Sequence, residues 1–122
     1  MKIALATTIL SGWSHPHELF AYSPPAAERE PLFQWARRVG FDGVDVADSW
    51  MDWYAMSQGQ LEDMRAQLDR IGLACAALNP YRCVVVKHPD APRNEEKLYR
   101  SLEVATVWGA GLLNLSFGAD CS

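Results

Sequence analysis

The stretch Trp35-Ala36-Arg37-Arg38-Val39-Gly40-Phe41-Asp42-Gly43-Val44-Asp45-Val46-Ala47-Asp48 decides the reading of the chain. Its first residues are the last turns of a helix. Gly40 is a helix stop, because glycine alone enters the left-handed C-terminal position without steric cost. Gly43 to Ala47 is a short strand, apolar apart from Asp45, that leads to a second acid, Asp48. The same order of helix, glycine and strand returns at Ile71-Gly72-Leu73 and at Trp108-Gly109-Ala110. The three glycines lie 32 and 37 residues apart, a reasonable length for βα units.

Outward from this repeat, the predicted elements are β-α-β-α-β-α-β. Strand one is Ile3 to Ala6, with a possible extension to Thr8. Its short apolar run reads as a strand and not as a signal peptide. Helix one is predicted from Pro31, whose fixed φ suits a first helical position. Its apolar face is Leu32, Trp35, Ala36 and Val39. Ser57-Gln58-Gly59-Gln60 has the form of a capping box and opens helix two, with Leu61, Met64, Leu68 and Ile71 on one face. Strand three is Leu73 to Leu78, broken by Asn79-Pro80. Asn94 reads as the N-cap of helix three, whose buried face is Leu98, Leu102, Ala105 and Trp108. Strand four is Leu112 to Phe117. Alternating strands and helices imply a parallel sheet with right-handed crossovers.

Composition narrows the class. The chain has 122 residues, 49% of them hydrophobic, which suits a single globular domain. No apolar run approaches the roughly 20 residues that span a bilayer. The formal net charge is −4 with no basic run, which argues against a nucleic-acid partner. Cys75, Cys83 and Cys121 are odd in number and show no CxxC spacing. They read as buried free thiols in a reducing cytoplasm, the expected location.

The connections are unequal. Helix-to-strand turns are minimal, while strand-to-helix loops are long. The long loops hold all three histidines and seven of the thirteen aromatics, so one face is elaborated and the other merely closed. In parallel α/β folds, ligands bind at the carboxyl ends of strands, where these loops gather. Thr7-Thr8-Ile9-Leu10-Ser11-Gly12 lacks the glycines of a nucleotide-binding loop. The alternative is a (β/α)8 barrel, which needs about 250 residues, twice what is present.

Leu32-Phe33-Gln34-Trp35-Ala36-Arg37-Arg38-Val39-Gly40-Phe41-Asp42-Gly43-Val44-Asp45-Val46 resembles the first helix and second strand of sugar phosphate isomerases/epimerases of the xylose isomerase-like barrel superfamily, where the segment reads helix, then G-F-D-G-V-E-L. Ile71-Gly72-Leu73 is similar too, as are Ala105-Thr106-Val107-Trp108-Gly109-Ala110 and Gly118. The resemblance covers nearly the whole chain. It implies the first half of a TIM barrel, as one domain over residues 1–122. It also implies isomerisation or epimerisation of a sugar or polyol by metal-assisted proton transfer. The divalent metal (Mn, Mg, Co or Zn) would be held by strands of the second half, and none by this chain alone. Asp45 replaces the family's usual Glu.

Five residues are candidates for substrate contact: Asp45, Asn79, Trp13, His15 and Trp50. Asp45 either hydrogen-bonds a sugar hydroxyl or is an acid satisfied by its neighbours. Asn79 either contacts substrate or caps a broken strand. Trp13, Trp50 and Trp53 either stack on a sugar ring or pack their loops down. His15-Pro16-His17 has the chemistry of metal ligands or acid–base groups, but no third ligand is near in sequence. Asp48 reads as a turn residue, and Trp35 and Trp108 as core. An endonuclease IV-like phosphodiesterase shares the superfamily but expects histidines where Leu78-Asn79-Pro80 and Ser116-Phe117-Gly118 stand. A half-barrel has unpaired edges, so the chain is expected to associate with itself or with a complementary half, as an enzyme fragment or as a non-catalytic partner subunit.

Overall fold

The computed structural model describes residues 1–10, 23–80 and 89–115. Three parallel strands, β1 (Ala4–Ala6), β2 (Gly43–Ala47) and β3 (Ala74–Asn79), form a sheet in that order. They alternate with α1 (Ala26–Val39), α2 (Gln58–Ile71) and α3 (Ala91–Trp108). Leu113 bridges Leu78 in parallel, with the Leu78 N–H on the Leu112 carbonyl at 3.0 Å and the Asn114 N–H on the Leu78 carbonyl at 2.9 Å. The predicted fourth strand is thus present as one bridge among the described residues, and Ser116 and Phe117 lie outside them.

Local chemistry accounts for the boundaries. Gly40, Gly72 and Gly109 end the three helices in left-handed backbone, with φ of 108°, 88° and 70°. The Ser57 box is complete: the Gln60 N–H reaches Ser57 Oγ at 3.2 Å, and the Ser57 N–H reaches Gln60 Oε1 at 2.8 Å. Gly43 is required for a different reason. A Cβ there would stand 2.6 Å from the Ala74 carbonyl oxygen, so β2 and β3 approach too closely for any side chain.

Several predicted features are corrected. β1 ends at Ala6, and Thr7–Leu10 turns into 3-10 helix. There the Thr7 hydroxyl, fully buried, accepts the Ala47 N–H at 2.9 Å and so replaces a ladder bond. α1 begins at Ala26 and not at Pro31, because the extended Pro25 is its N-cap and accepts from Glu28 and Arg29 at 3.0 and 3.1 Å. Pro31 stands inside the helix on its exposed side, giving up one helical hydrogen bond.

The buried stripe of α1 is Arg29, Phe33 and Ala36. Trp35 and Val39 are 42% and 53% exposed. Phe33 and Trp35 are about 200° apart around a helix, so only one can face the sheet. The helix buries Phe33, and Trp35 rests against Phe41 on the flank.

α3 also starts early, at Ala91. Asn94 lies within it, buried, and Asp90 is the N-cap. Its inward face is Ser101, Val104 and Trp108, whereas Leu102 is 48% exposed. A serine occupies that core position because Trp53 Nε1, itself buried, donates to Ser101 Oγ at 3.0 Å.

The core lies between sheet and helices. Leu5, Val44, Val46, Cys75 and Leu78 come from the strands, and Phe33, Leu61, Met64, Leu68, Val104 and Trp108 from the helices. The β2–α2 loop adds Trp50, Met51 and Trp53, so much of that connection is structural packing. On the opposite sheet face Ala47 and Ala77 are buried and Asp45 and Asn79 half-buried.

Candidate functional site

Side chains on a strand alternate between faces. Val44 and Val46 face the helices, so Asp45 and Ala47 lie on the opposite face. β3 reaches the same arrangement only through an irregularity. Val44 pairs with Cys75 but Asp45 pairs with Ala77, which leaves Ala76 as an extra residue. Beyond that bulge, Leu78 joins the helix side and Asn79 falls on the face of Asp45. Without it, each would point the other way.

Asn79 Nδ2 donates to Asp45 Oδ1. Asn79 pairs with Ala47, one same-face position beyond Asp45, so the contact is diagonal across neighbouring strands. Both residues are half-buried. Burial raises the pKa of the Asp45 carboxyl above its ordinary value. Asp45 Oδ2 and Asn79 Oδ1 remain as acceptors, and Asn79 Nδ2 has a further N–H, while the Asn79 main-chain oxygen accepts the Asp48 N–H at 3.1 Å. Small residues surround the pair on the same face: Ala6, Ala47 and Ala77 in register, with Gly43 below. Alternation from the Leu78–Leu113 bridge places Asn114 on this face as well. The result is a half-buried polar pair set among small side chains, of which Ala47 and Ala77 are themselves buried, at 0% and 4% exposure. It can accept hydrogen bonds from hydroxyl groups, with one acid whose protonation responds to its environment.

Two candidate residues, Asp45 and Asn79, are therefore brought together. Trp50 is placed elsewhere. It is 4% exposed and packs edge-on against Phe33, ring centroids 6.1 Å apart, on the helix side of the sheet. Trp53 is fully buried beside Trp108. Asp48 is a buried turn acid whose Oδ2 accepts from the Tyr54 hydroxyl at 2.9 Å. Lys97 lies over that tyrosine ring, 4.8 Å from its centroid. Trp13, His15, His17, His88, Cys83 and Cys121 lie outside the described residues. Asn114 was not among the predicted candidates. Its signal was the Leu113-Asn114-Leu115 alternation, which marks one polar side on an apolar segment.

Behind the pair sits Cys75, a free, buried thiol on the helix side. Burial, with the Asp45 carboxylate adding to it, pushes its pKa up to about 12. It is a core residue without thiolate character. Among the described residues no three His, Cys, Asp or Glu side chains gather as a metal site.

The family model of the xylose isomerase-like TIM barrel matches residues 33–121. The chain belongs to this family. A solved xylose isomerase-like TIM barrel protein from Mycobacterium smegmatis, crystallised in complex with magnesium, is similar over 98% of this chain, with a TM-score of 0.72 and 23% sequence identity. The chain spans 39% of the length of that structure. No curated protein matches the sequence. The fold is thus the half-barrel arrangement that the resemblance implied. The sheet face that carries Asp45 corresponds to the interior of a barrel, and the strand carboxyl ends to the barrel mouth. In a (β/α)8 barrel that end carries the active site.

Proposed function

We propose that this chain is the N-terminal half of a sugar phosphate isomerase/epimerase-like barrel acting on a sugar or polyol by metal-assisted proton transfer. The observation that carries the reading is the Asp45–Asn79 pair, a hydrogen-bonded acid and amide on the inner face of a xylose isomerase-like sheet. In this reading, Asp45 Oδ2 accepts from a substrate hydroxyl and Asn79 fixes the orientation of the carboxyl group.

A divalent ion (Mn, Mg, Co or Zn) is part of the proposal for the full barrel, supported by the magnesium complex of the solved relative. The described residues do not fit that ion. One Asp45 oxygen already accepts from Asn79, and among the described residues no three His, Cys, Asp or Glu side chains gather around an ion. The metal is therefore assigned to βα units beyond this sequence, and Asp45 and Asn79 to the substrate. The cytoplasm is the proposed location. No helix among the described residues is long and apolar enough to cross a membrane.

The test is an NMR titration of the chain with free aldoses, ketoses and cyclitols. Saturable shifts around residues 45 and 79 are expected, and Asp45→Ala and Asn79→Ala should each weaken them at least tenfold. Unchanged binding in both variants would sink the assignment. Turnover of a sugar by this chain alone, with added Mn or Mg, would show that the metal was assigned to the wrong half.

A second reading is a non-catalytic subunit that pairs with itself or with a complementary half-barrel. It is favoured by apolar side chains left exposed on both flanks, Trp35 and Val39 on α1 and Tyr99 and Leu102 on α3. Light scattering after size exclusion decides it: a stable monomer of the chain mass, 13.6 kDa, rules it out.

A further inference from the structure

Outboard of the sheet mouth, the N-termini of α1 and α2 converge on a cleft of about 320 Å³. It is lined by Pro25 and Ala26 from the start of α1, Met56 and Gln60 from the start of α2, and the side chain of Arg29. Both helices have 14 residues, long enough to carry a positive partial charge at these ends. The two ends differ. α2 is closed by its Ser57 capping box, whereas no side chain caps α1, because Pro25 has none to offer. The Glu28 and Arg29 amides reach the Pro25 carbonyl, which leaves the Ala26 and Ala27 N–H groups for another acceptor.

Arg29 is the independent observation. It is only 6% exposed, yet it makes no ion pair among the described residues. Nε donates to Gln67 Oε1 at 3.0 Å, and one terminal nitrogen donates to the Pro24 carbonyl at 2.8 Å. Both partners are neutral. They hold the guanidinium in place without cancelling its charge, and most of its five N–H donors are left over. Asp63, on the rim of the cleft, attracts it from a distance but is exposed and not in contact. Burial accordingly lowers the pKa of Arg29. A buried cation with neutral neighbours is costly unless an anion joins it.

We propose that this cleft binds a small oxyanion, a carboxylate or a phosphate group, between the Arg29 guanidinium and the free amides at the start of α1. The site is separate from the Asp45–Asn79 pair and stands whether or not that pair binds a sugar. Fixed amides at a helix N-terminus and a planar guanidinium are the two donor types that suit such oxygens. Asp63 sets a limit on the ligand: a dianion is held on the Arg29 side, away from the outer rim.

The experiment is an NMR titration of the chain with inorganic phosphate and, in parallel, with acetate, each matched by sodium chloride at equal ionic strength. Saturable shifts of the Ala26 and Ala27 amides and the Arg29 Nε–H are expected from at least one oxyanion and not from chloride. The stronger of the two identifies the ligand class. Arg29→Gln should weaken binding at least tenfold. Because that change also disturbs the packing of α1 on α2, Ala26→Asp is the second variant. A carboxylate at the exposed first position of α1 suits the helix, so the melting temperature should hold or rise while the oxyanion is repelled. Equal shifts with chloride, no saturation, or wild-type binding by Ala26→Asp would each overturn the proposal.

Discussion

Asn79 donates its side-chain amide to Asp45 although the two residues are 34 positions apart, on adjacent parallel strands. The contact joins an acid raised in pKa by burial to the residue that ends β3.

This raised pKa has a direct consequence for stability. The folded chain holds the Asp45 proton more tightly than the unfolded chain does. Stability from this group is present at low pH and is lost as pH rises from the ordinary aspartate range through the folded pKa. Asp45→Asn keeps an acceptor for Asn79 and removes the titration. The variant should therefore gain in melting temperature relative to the parent as pH rises from about 4 to 7. A constant difference across that range, in thermal melts by circular dichroism, would show that Asp45 is not perturbed.

Glu30 behaves in the opposite sense. Its carboxylate accepts from Arg70 at 2.6 Å and from Gln67 at 2.8 Å, which holds its pKa down at about 2. The stability it supplies is complete above the unfolded value and fades as pH falls toward 2. Glu30→Gln should lower the melting temperature near neutral pH, with the difference closing between about pH 4.5 and 2. High salt should shrink it, because the pair is on the surface.

Gly43 faces the Ala74 carbonyl across the strand pair, with 2.6 Å available to an added Cβ. Backbone cannot step aside as a side chain can. Gly43→Ala is expected to cost about 1–3 kcal/mol, as overpacking does elsewhere. Urea unfolding should show a lower midpoint with an unchanged slope. A midpoint equal to the parent would mean that the strands separate freely here.

The two aromatic residues of α1 offer a contrast. Phe33 is fully buried and Trp35 is 42% exposed. Phe33→Ala should cost about 3–5 kcal/mol as a core truncation. Trp35→Ala should cost less than about 1 kcal/mol, since it loses mainly its contact with Phe41. Comparable losses in chemical denaturation would mean that the helix is turned the other way.

That contrast also marks where sequence reasoning reached its limit. The periodicity in α1 admits two overlapping apolar stripes. Spacing cannot choose between Phe33 and Trp35, because the choice depends on what lies opposite. Here the buried Arg29, tied to Gln67 of α2 and to the Pro24 carbonyl, belongs to the Phe33 stripe. The same holds for α3, where Ser101 displaced Leu102 from the inward face because Trp53 needs an acceptor. Trp50 looked like a site residue because it sits in a strand-to-helix loop. The structure uses that loop to cover the core with Trp50, Met51 and Trp53.

The chain by itself determined the parts whose causes are local. Glycine in left-handed backbone stops the helices at Gly40, Gly72 and Gly109, and Ser57 with Gln60 closes the start of α2. These few residues, at βα spacing, dictate a parallel sheet and hence the end at which function gathers. Tertiary structure decided what depends on faces and register. The extra residue at Ala76 turns Leu78 toward the helices and brings Asn79 to Asp45. A bulge is a compromise between two strands and the core that both must fill. No single strand carries that information in its own residues, and so the site became visible only when β3 lay beside β2.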